Sequence, residues 1–150
     1  MTKNGHLSER EKFDMGIYLS TWLGFLGVVC EGFKSLNMRL LLDNERPREF
    51  KELLPISDGI GKLMKEHSNS LRIFRNNVFH LRESTGFIHH FFDKEVERLP
   101  WAGELHIALS HFFSQYRIFC EVHYVINGRK GESNMIKKKV TRPKKVALRY

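Results

Sequence analysis

The chain has few cysteines, no strand pattern and no apolar run long enough for a bilayer, and each absence narrows its class. Only Cys30 and Cys120 are present among 150 residues, and both fall in stretches of helical periodicity. That is no disulfide framework; buried thiols in a reducing compartment account for them. No run of alternating strand residues is bounded by hairpin turns, and no internal repeat is evident, which leaves an all-α chain. The longest uncharged apolar run, Gly16 to Cys30, falls short of the roughly 18–20 residues that span a bilayer. Acidic Glu9, Glu11 and Asp14 precede it and no small-residue cleavage pattern follows, so a signal peptide is not expected and a cytoplasmic protein without membrane contact is. There is no G-x-S-x-G, no phosphate-cradling glycine loop, no H-E-x-x-H and no C-x-x-C, which argues against kinases and dinucleotide enzymes. His89 and Asp93 share a helix face, but no third ligand accompanies them, so neither a metal nor a cofactor is expected.

Charge is abundant but unevenly placed. The net +8 of the chain belongs to residues 129–150, where nine Lys or Arg face one Glu; residues 1–128 balance 16 basic against 16 acidic side chains. The expected organisation is a helical domain over 1–128 and a basic, flexible tail over 129–150. Lys137, Lys138, Lys139, Arg142, Lys144 and Lys145 in that tail suit an arm that binds RNA by releasing phosphate counterions. A disordered, solubilising end is the other reading.

Ser8 and Glu11 have capping-box spacing, so a first helix starts there and runs to about Leu36. Its middle is apolar nearly all round, as for a helix buried on most sides. Gly24 and Gly27 each cost about 1 kcal/mol of helix propensity relative to Ala, which suggests a close approach by another element. A short helix is expected over Arg48–Leu54 behind Pro47, another piece from Ile60 to Glu66, and a break at Ser68-Asn69-Ser70, three good N-cap residues. Ser84-Thr85-Gly86 reads as a turn, followed by a helix from Phe87 to about Leu99. The last helix, Trp101 to Ile126, carries Trp101, Leu105, Ala108, Phe112, Tyr116 and Phe119 along one side and closes at Asn127-Gly128. Together these elements predict a compact helical bundle, with short helices before the central one.

That central stretch is Leu71 to Leu81. At 100° per residue Leu71, Phe74, Val78 and Leu81 share one face, and Arg72, Asn76, His80 and Glu83 the opposite one, with Arg75 at its edge. The apolar stripe is a core face. The polar stripe is either a solvated surface, as most are, or a site. Arg75 and His80 lie some 140° apart round a regular helix, so a bend, a long reach or a second subunit must bring them to one ligand. Glu31 pairs with Lys34 on an exposed surface or serves as a buried hydrogen-bonding partner.

Arg75-Asn76-x-x-x-His80 resembles the signature of the HEPN superfamily of all-helical proteins, an Arg and a polar residue followed by a His four to six positions on. Trp22, Val29-Cys30-Glu31-Gly32-Phe33, Phe79 and Trp101-x-x-x-Leu105-His106 are also similar to bacterial members, and the likeness spans about Tyr18 to Phe119. The resemblance implies a helical bundle in which two copies of the motif face each other across a homodimer cleft. It also implies endoribonuclease activity of toxin or phage-defence type, sometimes checked by an antitoxin or regulatory protein. Non-cleaving members exist as well.

The residue types suit that chemistry. RNA carries its own nucleophile, the 2′-hydroxyl, beside the scissile phosphate. A His takes and gives protons near neutrality and contributes roughly 10²–10⁴-fold as a general acid or base. An Arg holds non-bridging phosphate oxygens with forked hydrogen bonds, and Asn76 either fixes the imidazole's tautomer or binds phosphate. The expected site is therefore catalytic Arg75 and His80, supporting Asn76, and RNA-binding Arg72 with the tail. The alternative is a non-catalytic helical module that binds RNA, nucleotide or a partner protein.

Overall fold

The computed structural model describes residues 7–80, 86, 91–93 and 97–128. The tail lysines and arginines, Leu81, Glu83, His89 and most of the expected Phe87–Leu99 helix lie outside these residues. Within them the chain is all-α, a compact helical bundle without strands.

The first helix, α1 (Glu9–Ser35), begins on the expected capping box. The Ser8 backbone N–H donates to Glu11 Oε2 at 2.8 Å while the Glu11 N–H donates to Ser8 Oγ at 3.3 Å. That backbone donor, with the Ser8 hydroxyl, holds the Glu11 carboxyl below the usual carboxylate range. Asn37, left-handed at φ 45°, turns the chain out of α1, a conformation its short polar side chain tolerates. A short α2 (Met38–Leu40) leads into a π turn over Leu41–Glu45, which buries Leu42. Behind Pro47 a 3₁₀ helix, Arg48–Leu53, buries Phe50 and Leu53.

Next comes α3 (Leu54–Phe79), which differs from expectation at both ends and in its middle. Pro55 sits in its first turn, where the missing N–H costs nothing, so the helix starts earlier than Ile60 and absorbs Gly59 and Gly61. The expected break is a kink one residue before Ser68, at His67 (φ −132°, ψ 19°). Its cause is visible. The indole N–H of Trp101 donates to the Leu63 carbonyl at 2.8 Å, the acceptor a regular helix offers to His67, and the Trp101 ring packs edge-on against the His67 ring. A side chain reaching into the hydrogen-bond ladder bends the axis. The last element, α4 (Arg98–Asn127), begins three residues before Trp101 with Pro100 in its first turn, and ends at Gly128 with φ +67°.

The core joins these pieces: Leu23, Leu26, Cys30 and Phe33 from α1, Ile60, Met64, Leu71 and Phe74 from α3, and Trp101, Leu105, Leu109 and Phe112 from α4. Burial pushes the Cys30 thiol up to about 11, so it stays neutral and unreactive at ordinary pH. One expectation is corrected here: α1 is not buried on most sides. Phe13, Ile17, Tyr18, Phe25, Val28 and Val29 are exposed, because α3 covers one face only. By length and composition α1 is long and apolar enough to cross a membrane, with 28% of its most apolar window buried.

The glycines of α1 set how closely α3 lies. A Cβ built on Gly27 meets Cβ of Arg75 at 3.0 Å, and one on Gly24 meets the Phe79 ring at 3.0 Å. Position 24 answers 79 and position 27 answers 75, so the two helices run antiparallel at this seam. Gly27→Ala gains about 1 kcal/mol of helix propensity but forces a Cβ anchored on the α3 backbone to move, and overpacking costs typically 1–3 kcal/mol. A net fall in urea midpoint is expected. Gly59→Ala, with nothing within 4 Å, is expected to raise the midpoint; equal shifts in both variants would remove the close-approach argument.

Candidate functional site

The C-terminal two turns of α3 place the sequence-derived residues. Leu71 and Phe74 are buried and Val78 is half-buried, so the apolar stripe faces the core as expected. Arg72 is exposed, and its Nη2 donates to Asn69 Oδ1 at 3.0 Å. Asn76 is half-buried, and its backbone carbonyl accepts the His80 N–H at 3.1 Å. His80 itself is exposed and caps the helix in a non-helical conformation (φ −101°, ψ 10°). The helix therefore ends at Phe79, earlier than the periodicity suggested, and His80 no longer follows the regular 100° spacing.

Arg75 is held quite differently. The base of its side chain, Cβ and Cγ, lies against Gly27 of α1, and its guanidinium donates through Nη2 to Glu31 Oε2 in a partly buried ion pair. Glu31 thus takes Arg75 rather than Lys34 as its partner. The side chain of Arg75 is 22% exposed, and its Nε is buried without a hydrogen-bond partner. With its stem packed against Gly27 and one end of the planar fork paired to Glu31, the side chain has less rotational freedom than a solvated arginine. Among the described residues no side-chain hydrogen bond or ion pair joins Arg75, Asn76 and His80 to one another. Within one chain, then, the guanidinium and the imidazole are neighbours in sequence without forming a joined dyad.

Two of the stretches that carry the resemblance meet in space. The Trp22 indole N–H donates to His106 Nδ1 at 3.3 Å, with the rings edge-on at 5.8 Å. This bond assigns the His106 ring as an acceptor at Nδ1. The pair lines a cavity of about 460 Å³ between α1 and α4, together with Phe25, Val29 and Phe113. Beyond the seam, Phe25 of α1 lies edge-on to Phe79 at 5.7 Å, so the exposed apolar face of α1 reaches the residue next to His80.

Among the described residues no three His, Cys, Asp or Glu side chains gather as a metal site. Reading the sequence missed a group of cations: Lys34, Arg39, Lys62 and Lys65 surround one cavity, although they come from three separate helices and share no local pattern. Only the antiparallel course of α1 and α3 collects them.

No family model matches the chain, and comparison with curated proteins and with solved structures returns no match either.

Proposed function

We propose that this chain is a metal-independent endoribonuclease of toxin or phage-defence type, related to the HEPN superfamily, working as a cytoplasmic homodimer. The observation that supports this reading most is the contrast within the motif: Arg75 held by Glu31 against Gly27 while His80 stands free in solvent at the helix end. A restrained guanidinium suits charge stabilisation, which needs donors aimed in advance. An exposed imidazole suits proton transfer with a bound strand.

The reaction balances without a co-reactant. One His80 takes the proton of the 2′-hydroxyl as its oxygen bonds to phosphorus. The bond from phosphorus to the 5′-oxygen breaks, and a second imidazole, the His80 of the other protomer, gives that oxygen a proton. The products are a 2′,3′-cyclic phosphate and a 5′-hydroxyl. Arg75 hydrogen-bonds the non-bridging oxygens as charge builds on them, and Asn76 supports the helix end that carries the imidazole. A twofold contact through the apolar face of α1, which reaches Phe79, brings two His80 residues to one cleft, because an isologous interface presents each residue twice. Arg72 and the tail lysines and arginines supply affinity, and an antitoxin or regulatory protein holds the activity in check.

The Arg75–Glu31 pair also favours the rival reading, a non-catalytic module, since a carboxylate already partners the guanidinium and ties α1 to α3. Incubating structured and single-stranded RNA with the purified full chain in EDTA separates the two. Cleavage leaving cyclic-phosphate ends supports the ribonuclease; binding without cleavage supports the module.

A further inference from the structure

We infer that the cavity between the end of α1, α2 and the first half of α3 is an RNA-strand site, remote from the cleavage residues, that seats one nucleotide of a bound strand. For the identity of its ligand this inference rests on the RNA reading above. The cavity measures about 480 Å³, within the size range of small-molecule sites. Its lining divides into two kinds of surface. Phe33, Met38, Leu40 and Met64 are apolar, and Phe33, Met38 and Met64 belong to the core. Against them stand Lys34, Arg39, Lys62 and Lys65, with Asp58 as the one carboxylate of the lining. Asp58 is already neutralised, since Arg39 Nη1 donates to both of its oxygens at 2.8 and 2.7 Å. Three lysines are therefore left over beside an apolar floor. That combination fits a phosphate next to a base: ammonium groups for the charge, apolar surface for the ring.

Continuity favours a strand over a free nucleotide. Lys34 lines this cavity and also a smaller one of about 140 Å³ with Glu31, Asn69 and Arg72. Because α1 and α3 are antiparallel, the cations follow one seam, from Lys62 and Lys65 past Lys34 and Arg72 to Arg75. At 1.5 Å per residue, Lys62 and His80 are roughly 27 Å apart along α3, a span for several nucleotides.

The test uses the full chain and a 12-nucleotide single strand of 2′-O-methyl RNA, which lacks the nucleophile and cannot be cleaved. Binding is followed by fluorescence anisotropy from 50 to 300 mM salt. Lys62→Ala/Lys65→Ala, two positions that leave the Arg39–Asp58 pair intact, is expected to lower the salt slope by about 1.4 and weaken binding about tenfold at 0.15 M salt, as when two phosphates of a single strand are no longer neutralised. Circular dichroism checks its fold, and Lys12→Ala on α1, away from the seam, is the charge control. Unaltered affinity and slope in the double variant overturn the strand site while leaving the cleavage reading untouched. Conversely, reduced affinity of the double variant in a protein that never cleaves supports this site and sinks that reading. No binding of the strand by wild type, or AMP binding as tightly as the 12-mer, also overturns it.

Discussion

Replacing His80 by alanine is expected to lower RNA cleavage by about 10²–10⁴-fold, the range for a lost general acid or base, while circular dichroism and the urea midpoint stay close to wild type. The fold is spared because His80 is exposed and, among the described residues, makes only a backbone cap bond to Asn76. Arg75→Lys is expected to fail as well, for a different reason. An ammonium keeps the charge but loses the planar fork that binds Glu31 and phosphate together. Mixing then decides where the two residues act. Refolded mixtures of Arg75→Ala and His80→Ala chains contain heterodimers in which one protomer supplies the guanidinium and the other the imidazole. Activity clearly above both parents shows cooperation in trans. A verified monomer that cleaves as fast as the dimer ends the composite-site proposal.

Phe74→Ala is expected to be the most destabilising single truncation on α3, at about 3–5 kcal/mol. Phe74 is 1% exposed and its ring meets Phe91 at 4.9 Å and Phe92 at 6.0 Å. Truncation leaves a void between the motif helix and the segment that follows it. Against a typical total of 5–15 kcal/mol, that loss removes a large share of the stability and is expected to lower the urea midpoint markedly. Urea titration measures it. A loss below about 1 kcal/mol would mean that this side chain is not packed as described.

The two variants bear on different faces of one helix, and the residues show which face was legible in advance. Leu71 and Phe74 were readable because burial follows a 3.6-residue period, and one helix has one core side. The Ser8–Glu11 box was readable because both partners lie within four residues. So was the side of α4 carrying Trp101, Leu105 and Phe112, and the stop at Gly128. The extent of burial on α1 was not. Its sequence is apolar nearly all round, yet α3 and α4 leave Tyr18, Phe25 and Val28 uncovered, and composition cannot say which of two apolar faces finds a neighbour. A break near Ser68 was legible from three N-cap residues, but its form was not: a kink at His67, caused by a tryptophan from α4 reaching Leu63.

At the candidate site the same division holds. Arg75, Asn76 and His80 stand out as residue types at a spacing, and that much needs no structure. Their arrangement needed the fold: Arg75 turns to Glu31, 44 positions away, and His80 leaves the helix before the periodic pattern ends. By itself the sequence determined an all-α chain with one strongly amphipathic central helix, since local propensity, capping and periodicity act over a few residues. Tertiary structure alone decided that Gly27 receives Arg75, that Phe25 meets Phe79, and that Lys34, Arg39, Lys62 and Lys65 surround one cavity. These are contacts between helices, and their geometry depends on how closely two glycines let one backbone approach another.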